Sequence, residues 1–294
     1  ELRAGLHAIK APGCFQHGKT VATMGYFRTG STLVFNIARL WAALGADGGL
    51  VAGFACHDPG EAGINPQESD RCSLVCKDHL LHDGVAGGTD IFLMSRRDVW
   101  ESLCSRKMMG VWCKKPASRI ELKTKEEKDG FQAKCFRDKE LERQETVQQC
   151  HELMEMQADI YDKRYASGRG VAYDMLMGDF TKDPMMQVQN IGRAMGICDA
   201  ATGNAGLQKL MLAMSKELHD HPDHDAGITR MHDVHSARDR ERKNCGPLRE
   251  WVQSDAACAA WANSGAAPDQ NAALQRRNPR AAAAAAKMRS GAPT

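Results

Sequence analysis

A chain of 294 residues, 43% of them hydrophobic, is long enough to bury one large core, and α/β domains of this length commonly form a single unit. Its 39 basic and 37 acidic residues leave a formal charge of +2, a balance that excludes nucleic-acid binding driven by bulk charge. No apolar run approaches the roughly 20 residues that a membrane helix needs, and no charged-then-apolar leader opens the chain, so the expectation is a soluble, cytoplasmic protein with neither membrane nor nucleic acid as partner.

Residues 1–20 carry little periodicity and read as a lead-in. Val21 to Met24 is a short apolar run, Gly25 to Thr32 holds two glycines, hydroxyls and an arginine, and Leu33, Ile37, Leu40 and Trp41 recur at helical spacing. This predicts a buried strand, a glycine turn and a helix. Amides at a helix start lack intrahelical partners and lie at the positive end of the helix dipole, so a phosphate can take several at once. Ser31 and Thr32 add hydroxyl donors, and Arg28 adds a fixed charge. Gly25-x4-Gly30-Ser31-Thr32 approaches the nucleotide-triphosphate loop, but Ser31 stands where that loop needs lysine. After a glycine-rich break at 45–49, Leu50 to Cys56 reads as a second strand, and His57 to Arg71 as a loop able to line a substrate pocket.

Ser73 to Cys76 is strand-like, which puts Lys77 and His79 at the strand's end and on one side of it. Open α/β sheets hold their ligands at such ends. Imidazole, with an unperturbed pKa near 6.5, can take a proton from an attacking group at neutral pH. Ile91 to Met94 is a further strand and Val99 to Arg106 begins a helix. Arg97 at the strand exit offers a bidentate fork to a phosphate, with Ser105 two turns along the helix beside it. Arg96 doubles the charge, but only Arg97 has the serine eight residues on. Lys107 to Glu140 is dominated by charge and reads as a loop-rich insertion. Asp138 to Tyr165 is a long helix with Val147, Cys150, Leu153, Met154, Ile160 and Tyr161 on its inner side. Gly168-Arg-Gly170 ends it, Val171 to Leu176 is a strand, and Leu207 to Leu218 is helical.

The 11 cysteines are odd in number and lack zinc-type spacing, which points to reduced, buried thiols in a cytosolic protein. His219 to His224 reads as a solvated loop rather than a metal site. The tail from Ala256 carries helix propensity and no legible chemistry.

Arg28-Thr-Gly-Ser-Thr32 resembles the 5′-phosphosulfate loop of sulfotransferases that use 3′-phosphoadenosine 5′-phosphosulfate (PAPS). Lys77-Asp-His79-Leu resembles the Lys-Thr-His-Leu segment of cytosolic sulfotransferases. Arg97-Asp with Ser105 is similar to their 3′-phosphate signature, although Val99 stands where the family usually has Pro. Tyr173 to Leu176, then Asp183-Pro184 and Met186 to Ile197, resembles the run in which Tyr-Glu-Asp-Leu precedes Asp-Pro and a helix; here Asp174 replaces the Glu and Met175 the Asp. Arg242 and Lys243 loosely resemble the family's C-terminal Arg-Lys-Gly loop. The motifs occur in the family's order.

The resemblance covers roughly Val21 to Trp251. It implies an α/β fold of P-loop NTPase-like type, a parallel β-sheet flanked by α-helices, with a sulfotransferase domain at 21–255 between a lead-in at 1–20 and an Ala-rich tail at 256–294. It implies PAPS as co-substrate, released as 3′-phosphoadenosine 5′-phosphate (PAP), with no metal. Cofactor contacts fall to Arg28, Thr29, Gly30, Ser31, Thr32, Arg97, Ser105, Tyr173, Arg242 and Lys243. His79 is the implied base, Lys77 and Arg28 the implied charge partners, and the acceptor a small soluble molecule bearing a hydroxyl or amine. Two alternatives stand beside it: a magnesium-dependent kinase acting on a nucleoside triphosphate, and a non-catalytic nucleotide-binding protein of the same fold.

Overall fold

The computed structural model describes residues 1–11, 13–15, 18–26, 29–45, 50–54, 56, 73–108, 123–217 and 245–264. Five short strands form one sheet: β1 (Thr20–Met24), β2 (Leu50–Phe54), β3 (Ser73–Asp78), β4 (Ile91–Arg96) and β5 (Tyr173–Leu176). Their order is β2-β3-β1-β4-β5, with every pairing parallel. β1 is central and buried from Val21 to Met24, as a continuous apolar run predicts for a strand covered on both faces.

Parallel pairing demands crossovers, and among the described residues helices lie in those from β1 to β2, β3 to β4 and β4 to β5. The helix α1 (Leu2–Ile9) precedes β1, α2 (Ser31–Gly45) follows it, α3 (Asp83–Gly88) joins β3 to β4, and α4 (Val99–Met108), α5 (Lys125–Cys135) and α6 (Lys139–Ala166) lie between β4 and β5. Beyond β5 come α7 (Met177–Lys182), α8 (Pro184–Ala194), α9 (Asp199–Thr202), α10 (Ala205–Glu217), α11 (Gly246–Ser254) and α12 (Ala256–Ser264). The chain runs outward from β1 to β2, returns to β3, then crosses β1 to reach β4. β1 is therefore the switch point, where such sheets open a crevice beyond the strands' carboxyl ends. In register, Met24 faces Asp78 and Met94, and Arg96 faces Leu176. Gly25, His79 and Arg97 consequently leave the sheet along the same edge.

The main core lies between α2 and the sheet, where Val34, Phe35, Ile37 and Trp41 pack with Val188 and Ile191 of α8. The Trp41 indole donates to the Val188 carbonyl at 3.0 Å. A second cluster gathers Leu103, Cys150, Leu153, Leu248 and Val252 around α4, α6 and α11. The long helix expected from Asp138 is present as α6, and Asp138 caps it by accepting from the Glu140 and Leu141 amides at 3.0 and 3.1 Å. Cys150, Leu153, Ile160 and Tyr161 are buried as expected, while Val147 and Met154 are half-buried. The inner face also buries polar groups that periodicity does not reveal, among them Glu145, Gln149 and Arg164.

Arg164 donates to the Ala86, Thr89 and Gly170 carbonyls at 2.6, 3.1 and 2.9 Å, with its guanidinium over the Phe92 ring. Arg164→Met leaves those acceptors without this donor and is expected to cost about 3 kcal/mol. A urea midpoint unchanged by the substitution removes Arg164 from the account of stability.

Three expectations are corrected. Residues 1–20 are not patternless: Leu2–Ile9 is helical, its Ile9 is buried in the main core, and Gly5 sits against Asn204 and Leu207. The charged stretch 107–140 contains α5, started by a capping box in which the Glu127 amide donates to Thr124 Oγ1 at 3.1 Å and the Thr124 amide to Glu127 Oε2 at 3.0 Å; end chemistry outweighs the weak apolar stripe.

Nor are the described cysteines reduced. Cys14–Cys198, Cys56–Cys76, Cys104–Cys245 and Cys150–Cys258 are disulfides with Cα separations of 4.6 to 6.2 Å, and Cys135 is also disulfide-bonded. Three of the four bonds join residues more than 100 apart in sequence, so no local spacing betrays them. Among the described residues no helix is long and apolar enough to cross a membrane.

Candidate functional site

The turn after β1 accepts nothing larger than glycine at its first position. A Cβ on Gly25 would lie 2.4 Å from Ser95 Oγ, 2.5 Å from Thr29 Oγ1 and 2.8 Å from the Ser95 carbonyl oxygen. Thr29 is buried, donating to the Tyr26 carbonyl at 2.9 Å and meeting Ser95 Oγ at 2.9 Å. Its hydroxyl shapes the loop. Gly30 has φ +91°, the left-handed region, and a Cβ there would meet Met177 Sδ at 2.8 Å. The Gly30 carbonyl accepts from the Leu33 and Val34 amides at 2.9 and 3.2 Å. α2 therefore begins here, and the amides of Ser31 and Thr32 are first-turn groups without intrahelical partners.

β3 brings its residues onto this turn. Lys77, 2% exposed, donates from Nζ to Thr32 Oγ1 at 2.5 Å. His79 places Nδ1 2.6 Å from the Gly25 carbonyl oxygen. Because a carbonyl only accepts, Nδ1 carries the proton in that contact, and the lone pair of the neutral ring sits on Nε2. Asp78 Oδ1 accepts from the His79 and Leu80 amides at 2.7 and 3.2 Å, ending the strand in a tight side-chain turn. Imidazole orientation is thus set from two sides, by its own backbone and by the loop.

β4 supplies the opposite wall. Arg96 Nε meets Asp174 Oδ1 and Oδ2 at 2.7 and 2.9 Å, and the Tyr161 hydroxyl donates to the same carboxylate. Burial opposes the Arg96 charge, but the adjoining Asp174 carboxylate outweighs it and holds the guanidinium above its ordinary range. Arg96 is a structural cation. Arg97 pairs with Glu101 of α4 at 2.9 Å, and its carbonyl accepts from the Tyr26 hydroxyl at 2.7 Å. Ser105 is buried two turns along α4, beside Cys104 and its bond to Cys245.

The structure thus gathers Thr29, Gly30, Ser31, Thr32, Lys77 and His79 at one end of the sheet, with Arg97 joined to them through Tyr26. Tyr173 stands apart. It pairs with Leu93, three residues short of the β5 end, about 10 Å back from the edge at the usual rise per residue. Its hydroxyl donates to Gln187 and accepts from Asn190 of α8. Arg28, Arg242 and Lys243 lie outside the described residues, as do His57–Arg71 and His219–His224.

Tyr26, Asp78, Ser95 and Met177 were not singled out from the sequence. Asp78 before a strand-end histidine was a readable turn signal; the others depend on pairings between distant segments. One potential metal-ligand cluster occurs among the described residues, His151, Asp255 and Cys258. The Cys258 sulfur is bonded to Cys150, and Asp255 accepts from the Cys258 amide at 2.9 Å at the start of α12, so both groups have structural duties.

The arrangement is that of an α/β protein whose candidate site lies at the carboxyl edge of an all-parallel sheet. Comparison with family models, with curated proteins and with solved structures finds no match.

Proposed function

We propose that the chain is a PAPS-dependent sulfotransferase of P-loop-like fold. One observation carries the reading: the Lys77–His79 segment is docked on the turn between β1 and α2, through Lys77 Nζ to Thr32 Oγ1 and His79 Nδ1 to the Gly25 carbonyl at 2.5 and 2.6 Å. The sheet order agrees with that fold, since it puts the loop at the switch point.

In this reading the amides of Ser31 and Thr32 hold the 5′-phosphate, and Arg97 with Ser105 holds the 3′-phosphate. His79 Nε2 takes the proton of an acceptor hydroxyl or amine as its oxygen or nitrogen bonds to sulfur. The bond from sulfur to the phosphate oxygen breaks, and Lys77 and Arg28 balance the charge left there. The acceptor is a small soluble molecule. The disulfides favour an oxidising compartment over the cytoplasm, and with it an acceptor that is present there.

His79→Ala is expected to lower transfer from PAPS by about 10²- to 10⁴-fold, while PAP binding measured by calorimetry stays close to wild type. Turnover that survives the substitution removes the base assignment. PAP binding that requires magnesium, or a preference for nucleoside triphosphate, would move the reading to a kinase.

A further inference from the structure

Tyr26 touches both the β1–α2 turn and the segment that follows β4. Its carbonyl accepts the Thr29 hydroxyl inside the loop at 2.9 Å, and its own hydroxyl donates to the Arg97 carbonyl at 2.7 Å. The side chain is fully buried, its ring centred 5.8 Å from that of Trp261 in α12. Burial pushes the phenol well above its ordinary range, so the hydroxyl remains a donor throughout the working pH range.

β1 and β4 are held together by their ladder only as far as Met24 and Met94. Beyond it one chain turns into α2 and the other into α4. Tyr26 bridges that divergence by gripping the backbone of Arg97 rather than its side chain, and so fixes where the Arg97 Cα stands relative to the loop.

We propose that Tyr26 is a positioning residue that sets the separation between the loop's anion site and the anion site at Arg97, matching that separation to a nucleotide phosphorylated at both ends. This rests on the sulfotransferase reading. A ligand that spans two fixed sites gains from each only if their spacing fits, because the second contact is then intramolecular. Displacement on the scale of about 1 Å is enough to lose that gain.

The test is Tyr26→Phe, which keeps the ring against Trp261 and deletes only the hydroxyl, titrated calorimetrically with adenosine 3′,5′-bisphosphate, adenosine 5′-phosphate and adenosine 3′-phosphate. The bisphosphate is expected to bind about tenfold more weakly, and each monophosphate within about twofold of wild type. Arg97→Ala alone and combined with Tyr26→Phe completes a cycle. Since the tyrosine acts through Arg97, the double variant is expected to bind the bisphosphate no more weakly than Arg97→Ala. Equal weakening of all three nucleotides, no weakening at all, or additive effects in the cycle overturns the inference and leaves the sulfotransferase reading standing. A wild-type protein with no preference for the bisphosphate sinks both.

Discussion

Full reduction by excess dithiol is expected to unfold the protein at 25 °C. Removing a native disulfide costs about 2 to 5 kcal/mol, and four such bonds tie the described residues to one another. Their combined loss is comparable to the whole stability of an ordinary domain, about 5 to 15 kcal/mol. Cys104–Cys245 and Cys150–Cys258 fasten α11 and α12 to α4 and α6, and Cys14–Cys198 fastens the segment after α1 to the start of α9. Circular dichroism during urea titration of oxidised and reduced protein reads the effect. A cooperative transition at the same midpoint after complete reduction, verified by thiol counting, contradicts it. Replacing Cys104 and Cys245 together by serine is expected to show a partial loss of about 2 to 4 kcal/mol.

Gly25→Ala is expected to be the most damaging single substitution in the candidate site. The new methyl would meet Ser95 Oγ at 2.4 Å, Thr29 Oγ1 at 2.5 Å and the Ser95 carbonyl at 2.8 Å. Ser95 Oγ can rotate away, but the Ser95 backbone is held in β4 and cannot. The loop must shift, at about 3 kcal/mol, and the Gly25 carbonyl moves away from His79 with it. PAP affinity is expected to fall about 100-fold. Gly178→Ala, where a Cβ meets nothing within 4 Å, serves as the control and is expected to leave both quantities nearly unchanged. Equal behaviour of the two variants shows that the loop has room the contacts deny.

The strand–turn–helix at 20–45 was legible because two periodicities meet at a glycine turn, and each is local. Lys77 and His79 were placed on one side of a strand end by the same local logic, and both contact the loop. Pairing across the chain was beyond reach. Tyr173 was rightly read as part of a strand, but its distance from the functional edge depends on register with β4, which no local pattern carries. Arg96 and Asp174 become partners only once β4 and β5 are neighbours. α5 was a different failure: Thr124 and Glu127 spelled its start, and weighing apolar spacing above end chemistry hid it. The cysteine partners were invisible because bonds spanning 108, 141 and 184 residues follow the finished topology rather than the sequence.

Cys56–Cys76 has a consequence for assembly. β2 is a rim strand among the described residues, and a rim exposes backbone groups that invite a foreign strand to zip alongside. A slippage of one residue there would turn every side chain to the wrong face. With Gly53 opposite Cys76, and Cys56 three residues on bolted to that same cysteine, the covalent link opposes such slippage. The bolt is anchored one residue before Lys77, so the location of the ammonium group is set during oxidative folding as well as by the sheet.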